Sequence, residues 1–328
     1  SLTERWDKER SLIEKINAIR TTLEADYLAT DEDAAERLDD AQRKQHRSDL
    51  RALQEQLHSA QGPDPLMSPH VDAAAVAEVV GNWTGIPVGK MISDDVEGIM
   101  QLEDRLRERV IGQDHALHAI AQVVSTAKAG LSDPRKPTGV FMMIGTSGTG
   151  KTETALALAD LLYGGEQNLT VINMSEFKEE HKVSMLLGSP PGYVGYGEGG
   201  VLTEAARRKP YSVILLDEME KAHPGVQDIF YNLFDKGTIK DGEGRNIDFK
   251  NSMIIMTTNA GEDAIRAIMA QQEERPDPEV LLDSIRPELL KTFKPAFLGR
   301  CSLVTYFPLE DDKLLKICEI NMKRIEKR

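Results

Sequence analysis

The run Gly145-Thr146-Ser147-Gly148-Thr149-Gly150-Lys151-Thr152 fills the spacing G-x-x-x-x-G-K-[ST] at every fixed position. Its glycines allow a tight turn in which successive backbone N–H groups point at one centre. A helix beginning at Lys151 adds the partial positive charge of its N-terminus there. Such a loop suits a ligand carrying several phosphates, and ATP is the cofactor it predicts. Lys151 can bring a full charge to the β- and γ-phosphates, and the Thr152 hydroxyl can ligate Mg²⁺. The predicted contact set runs from Gly145 to Glu153. Further along, Val213-Ile214-Leu215-Leu216-Asp217-Glu218 places four apolar residues before two carboxylates. A buried strand there delivers both acids to its C-terminal edge, where ligands of α/β proteins bind. Asp217 can then hold Mg²⁺, directly or through water, and Glu218 can orient and polarise an attacking water. A third apolar run, Ile254-Ile255-Met256, ends in Thr257-Thr258-Asn259. Asn259 can sense the γ-phosphate through that water; the plainer role open to it is that of a turn residue.

These side chains need a frame. Compact apolar runs at 140–144, 170–172, 212–216, 252–257 and 302–307 predict buried strands. Helical stretches at 96–109, at 113–129 and from Lys151 onward alternate with them. Repeated strand–helix units imply an α/β fold, a parallel sheet flanked by helices. Upstream, Leu12, Ile16, Ile19 and Leu23, then Leu50, Leu53 and Leu57, recur at intervals of three and four. This predicts two amphipathic helices joined near Thr30–Asp33, hence a helical hairpin arm; a solvated helix pair without a partner is the alternative. Three prolines and a glycine in 62–69 make a linker. A short helical pattern at 71–80 and a turn-rich apolar stretch at 83–88 follow it, and Leu314, Ile317, Met322 and Ile325 predict a last amphipathic helix.

Composition narrows the function classes. The 328 residues, 40% hydrophobic, suffice for one large domain or two modest ones. No apolar run approaches the roughly 18 residues of a membrane span, so membrane insertion is not expected. The net charge of −14 argues against nucleic acid as a partner, because phosphates need a basic surface. Two cysteines and seven scattered histidines form no metal or redox spacing and suit a reducing cytoplasm. The start at Ser-Leu-Thr-Glu-Arg shows no signal-peptide pattern and no initiating Met, which suggests a piece of a longer chain.

The phosphate loop, Asp217-Glu218, Asn259 and Arg300, in this order, resemble an AAA+ P-loop NTPase module. Four segments resemble, more narrowly, the second ATPase module of Clp-type ring unfoldases over about residues 76–328. They are Trp83-Thr84-Gly85-Ile86-Pro87, Val110-Ile111-Gly112-Gln113-Asp114, the run from Gly188 to Tyr196 and the run from Leu216 to Pro224. Within that class, Asn173-Met174-Ser175-Glu176-Phe177, Tyr196-Gly197-Glu198-Gly199-Gly200, Phe234-Asp235-Lys236-Gly237, Asp241-Gly242-Glu243-Gly244-Arg245 and the run from Leu290 to Ala296 are most similar to the branch serving type VI secretion in Gram-negative bacteria. The general disaggregase branch more typically carries Asp-Asp-Gly and Asp-Gly-Gln-Gly-Arg in the third and fourth.

The resemblance implies roles. Val110 and Ile111 match the adenine-contacting segment. Tyr193, with Val194 and flanked by Gly192 and Gly195, matches the pore-loop aromatic that grips substrate, although a tyrosine in a glycine turn is the bland alternative. Residues 241–245 match a second pore loop. Arg300 matches an arginine finger acting on a neighbour's nucleotide; a surface salt bridge is its alternative role. The implied assembly is a homo-hexamer in the bacterial cytoplasm, with a protein substrate, the contracted secretion sheath. No Gly-Ala-Arg lid triplet follows Arg300. The expected organisation is therefore a helical middle-domain remnant at 1–62, a linker at 63–95, an AAA+ large subdomain at 96–308 and the start of a truncated helical lid at 309–328. A disaggregase module and an ATP-binding ring-assembly module remain the competing functions. The presence of Glu218, Asn259 and Arg300 argues against the latter.

Overall fold

The computed structural model describes residues 2–28, 38–61, 66–67, 71, 75–76, 79–81, 96–189, 199–271 and 275–326. The expected turn at 30–33, most of the 63–95 linker with Trp83, and the loop residues Gly192, Tyr193, Val194 and Gly195 lie outside the described residues. Two compact units divide between Val79 and Val80.

In the first unit, helices Leu2–Leu28 and Asp40–Gln61 bury Leu12, Ile13, Ile16 and Leu57, with Leu50 and Leu53 packed against them. Polar contacts at both ends make the pair antiparallel. Asp26, late in the first helix, accepts from the Leu38 amide at 2.8 Å and from Arg43 Nε at 2.7 Å. At the other end the buried Glu9 accepts from Arg5 Nε at 3.0 Å and the Leu66 amide at 2.9 Å. Burial works against the Glu9 charge, but these donors hold its carboxyl below the usual range.

Among its described residues the second unit has seven strands: β1 (Gly139–Gly145), β2 (Leu169–Asn173), β3 (Val213–Asp217), β4 (Thr238–Lys240), β5 (Asn246–Asp248), β6 (Met253–Thr258) and β7 (Ser302–Tyr306). Five of them form one parallel sheet in the order β2-β3-β6-β1-β7. Alternation within a strand sends successive side chains to opposite faces. Met142, Ile144, Ile214, Leu216, Ile254 and Met256 therefore enter one apolar layer. Helices Val201–Arg208, Gly225–Lys236, Glu262–Gln271 and Pro278–Thr292 cover that layer. Phe141, Met143, Val213, Leu215, Met253 and Ile255 enter the other, under Leu102–Arg109, Asp114–Lys128 and Lys151–Tyr163. Burial on both faces explains why the central strands are apolar throughout. β7 lies on the opposite side of β1 from β2, β3 and β6, so the crevice for a ligand opens at the C-terminal end of β1.

The structure adds to or departs from the sequence reading in three details. The single helix over 96–109 is two, Val96–Met100 and Leu102–Arg109, because Gln101 turns at φ −90° and ψ 1° and Gly98 weakens the first piece. The antiparallel β4–β5 hairpin has no counterpart in the sequence reading. Each of its strands buries one apolar side chain, Ile239 or Ile247, too little for a periodic signal. In the last helix, Asp311–Glu326, Leu314 and Met322 are exposed, while Ile317 and Ile320 line a cavity.

Candidate functional site

Gly145 is the last residue of β1 and Lys151 the first of the helix Lys151–Tyr163, so the glycine loop joins a central strand to a helix N-terminus. Gly148 and Gly150 hold φ of 78° and 100°, a region that costs other residues strain. Ser147 and Gly148 are exposed at the tip. Thr146 and Thr149 are buried, and Thr149 Oγ1 donates to the Thr146 carbonyl at 2.9 Å, which stiffens the turn. Thr152 is exposed in the first helical turn beside the loop.

Lys151 folds back into this loop. Its ammonium donates to the carbonyls of Gly145 and Thr146, the latter at 2.9 Å, and to Asn259 Oδ1 at 2.9 Å. Burial pulls its pKa down to about 8, against the nearby negative charges of Glu220, Asp217 and Glu262. The Asn259 contact joins the end of β6 to the phosphate loop, bringing two predicted residues together.

Asp217 ends β3, and Glu218 follows at φ 59° as the only non-glycine residue at positive φ among the described residues. Thr257, from β6, links the pair. Its hydroxyl donates to Asp217 Oδ1 and accepts from the Glu218 amide at 3.1 Å. Glu218 Oε1 accepts from Lys221 Nζ. The sequence reading missed Thr257, whose signal was a polar residue at the end of an apolar strand. The Thr152 hydroxyl and the Asp217 carboxylate are hard oxygen donors of the kind Mg²⁺ takes. Glu220 Oε2 is buried without a hydrogen-bond partner among the described residues, and its carboxylate, like that of Asp217, acts electrostatically on Lys151.

Beside the loop lies a cavity of about 180 Å³, walled by Val110, Ile111, Gly148–Gly150 and the helix residues Ile317 and Ile320. Its apolar lining suits a flat aromatic base. Glu153 lines its mouth, but its carboxylate is paired with Arg109 Nη2 at 2.8 Å. Gln113 ties the segment to the loop: its Nε2 donates to the carbonyls of Thr149 at 3.1 Å and Phe307 at 2.8 Å.

Arg300 stands apart. It precedes β7, whose far end, Tyr306, is level with Gly145. At ~3.3 Å per strand residue, Arg300 lies on the order of 15 Å or more from its own loop, at the opposite sheet edge. There it pairs with Asp235 at 3.0 Å, donates to the Ala296 carbonyl at 2.8 Å and stacks on Tyr231.

The segment carrying Tyr193 is rooted where Gly188 and Gly199 form an antiparallel bridge. Gly242, in the turn 241–245 between β4 and β5, donates its amide to the Leu187 carbonyl at 3.0 Å. The two predicted pore loops thus meet at their bases.

This arrangement matches a known family: the model of the AAA domain (Cdc48 subfamily) fits residues 136–304. The chain belongs to the AAA domain family. It is 53% identical to the AAA+ ATPase ClpV1 of Pseudomonas aeruginosa, over all of this chain and 37% of that protein. It is 50% identical to the chaperone ClpB of Yersinia enterocolitica, over all of this chain and 36% of that protein. The fold superposes on Saccharomyces cerevisiae Hsp104 in its ADP complex with a TM-score of 0.69 at 34% identity, over 87% of this chain and 48% of that one. A closed state of Hsp104 with ATPγS and FITC casein gives 0.68 at 31% identity, over all of this chain and 56% of that one. The chain is similar to Clp-type members of that family and spans little more than a third of the ClpV1 and ClpB relatives. No helix among its described residues is long and apolar enough to cross a membrane.

Proposed function

We propose that this AAA module is the ATP-hydrolysing motor of a bacterial, cytoplasmic, homo-hexameric protein remodeller whose client is the contracted type VI secretion sheath. The observation that carries the hydrolytic part is the Thr257 link. One hydroxyl holds Asp217 and the Glu218 backbone at the sheet edge that also carries Lys151 and Asn259. A module that only bound ATP would have no chemical need for a base there. The loop N–H groups and Lys151 hold the phosphates, and Thr152 and Asp217 hold Mg²⁺, which would neutralise developing charge when bound. Glu218 leaves Lys221 to orient the attacking water, and Asn259 contacts the same water. Arg300, remote from its own loop, serves the neighbouring subunit. Tyr193 and Val194 press on the substrate backbone, and the turn 241–245 moves with them. In this reading 1–62 is the arm, 63–95 the linker, 96–308 the large subdomain and 309 onward the lid.

The client assignment follows the 53% identity to ClpV1; the 50% identity to ClpB keeps a general disaggregase as the second reading. Glu218→Gln should retain ATP binding and lose turnover by at least about a hundredfold. Turnover at the parent rate would remove Glu218 from the chemistry. In the longer protein, stimulation of ATPase by contracted sheath and not by aggregated protein decides for the first client, and the reverse for the second.

A further inference from the structure

Three segments distant in sequence meet at the root of the base cavity. Arg275, just ahead of the helix Pro278–Thr292, lays its guanidinium over the Phe307 ring, 5.6 Å from the centroid. Its Nε donates to Glu310 Oε1 at 3.1 Å and its Nη1 to the Gly112 carbonyl at 3.1 Å. Gly112 follows Ile111 in the cavity wall, and Glu310 precedes the helix Asp311–Glu326, which supplies Ile317 and Ile320 to the opposite wall. That helix also rests directly on Gly112. A Cβ there would come within 3.3 Å of Lys313 Cγ and 3.4 Å of a Leu309 methyl, and the residue holds φ +79°. The guanidinium is planar and holds its donors in a fixed fork, so its bonds to Glu310 and Gly112 fix the geometry between them in a way a flexible lysine would not.

We propose that Arg275 is a positioning residue for nucleotide: it braces the helix Asp311–Glu326 against the backbone of Gly112 and so sets the distance between the two walls that grip the base. This rests on the reading of the 180 Å³ cavity as the base site. Arg275 Nη2 is buried with no partner among the described residues, an arrangement unfavourable for stability alone. A side chain that breaks a local rule while joining three functional segments is placed for geometry. Gln113 extends the brace, since it bonds both Phe307 and the Thr149 carbonyl of the phosphate loop.

The test separates base from phosphate. ADP and tripolyphosphate are titrated calorimetrically into the full chain and its variants. Arg275→Met should raise the ADP Kd about tenfold and move the tripolyphosphate Kd by less than about twofold. Glu310→Gln, which removes only the helix-side partner, should raise the ADP Kd about threefold and keeps the test available if Arg275→Met does not fold. Unchanged ADP affinity in either folded variant, or equal losses for both ligands, overturns the proposal. Ile111→Asp serves as the control. If it leaves ADP affinity intact, the base-site reading fails; if it weakens ADP while the Arg275 and Glu310 variants do not, only the brace fails.

Discussion

Glu218 carries its carboxylate from a left-handed backbone position that costs a non-glycine residue about 1 kcal/mol. What holds it there is specific. Its amide bonds Thr257 Oγ1, and that hydroxyl in turn bonds Asp217. Strain retained at a carboxylate between a phosphate loop and a second acid is typical of sites where geometry matters more than stability. Thr257→Val keeps the shape of this side chain and removes both bonds. It should destabilise the module by about 1–3 kcal/mol, since Thr257 is only 2% exposed. It should also slow ATP turnover at least about tenfold with little change in ATP affinity, because the phosphate contacts are elsewhere. Thr257→Ser should restore most of the rate. Equal turnover in the valine and serine variants would mean that the hydroxyl does not position the acids.

Among the elements, β1 bears the heaviest constraint. It pairs with β6 on one side and β7 on the other, and its last residue opens the phosphate loop. Gly145 is required there by proximity rather than by backbone angle. An added Cβ would lie 2.7 Å from the Tyr306 carbonyl oxygen and 2.8 Å from Tyr306 Cβ. Gly145→Ala must push β7 away or rotate the start of the loop. Overpacking of this kind costs about 1–3 kcal/mol. A weaker ATP affinity should accompany the lower midpoint in denaturant titration. A variant as stable as its parent would show that β7 yields without cost. The turn between β4 and β5 is held by proximity in the same way: Gly242 packs so close that a Cβ would meet the Gly188 carbonyl oxygen at 2.5 Å.

At the scale of the whole molecule, the parallel sheet separates two groups of the predicted site residues. Its C-terminal edge carries Lys151, Asp217, Glu218 and Asn259, and its N-terminal edge carries Arg300 on Asp235. One chain cannot bring both edges to one nucleotide. If Arg300 serves a neighbour, ATPase per subunit should rise with protein concentration in this chain. The rise should vanish in Arg300→Ala, with a loss of up to ~10³-fold in the assembled state. Identical concentration curves for the two proteins would leave Arg300 with only its salt bridge. Release from Asp235 is part of the same step, because the carboxylate already occupies the guanidinium.

The sequence by itself determined the candidate site residues and the local elements. G-x-x-x-x-G-K-[ST] and the apolar strands ending in Asp217-Glu218 and in Asn259 are short-range patterns. Each residue's proposed role is suggested by its immediate neighbours and by a repeat of period two or continuous burial. The two arm helices were legible for the same reason, their leucines and isoleucines recurring at three and four. Contacts between distant segments were not legible. Thr257 reaching Asp217, Gln113 reaching Phe307, and Arg275 joining Gly112 to Glu310 depend on which strands become neighbours and where β7 is inserted. The break at Gln101 and the β4–β5 hairpin were equally hidden, because each follows from packing against the rest of the module rather than from local propensity. Strand order is a property of the closed core. It is decided by which apolar faces can be buried together, while the parallel run of β7 beside β1 puts Arg300, just ahead of that strand, at the end of the sheet opposite the phosphate loop.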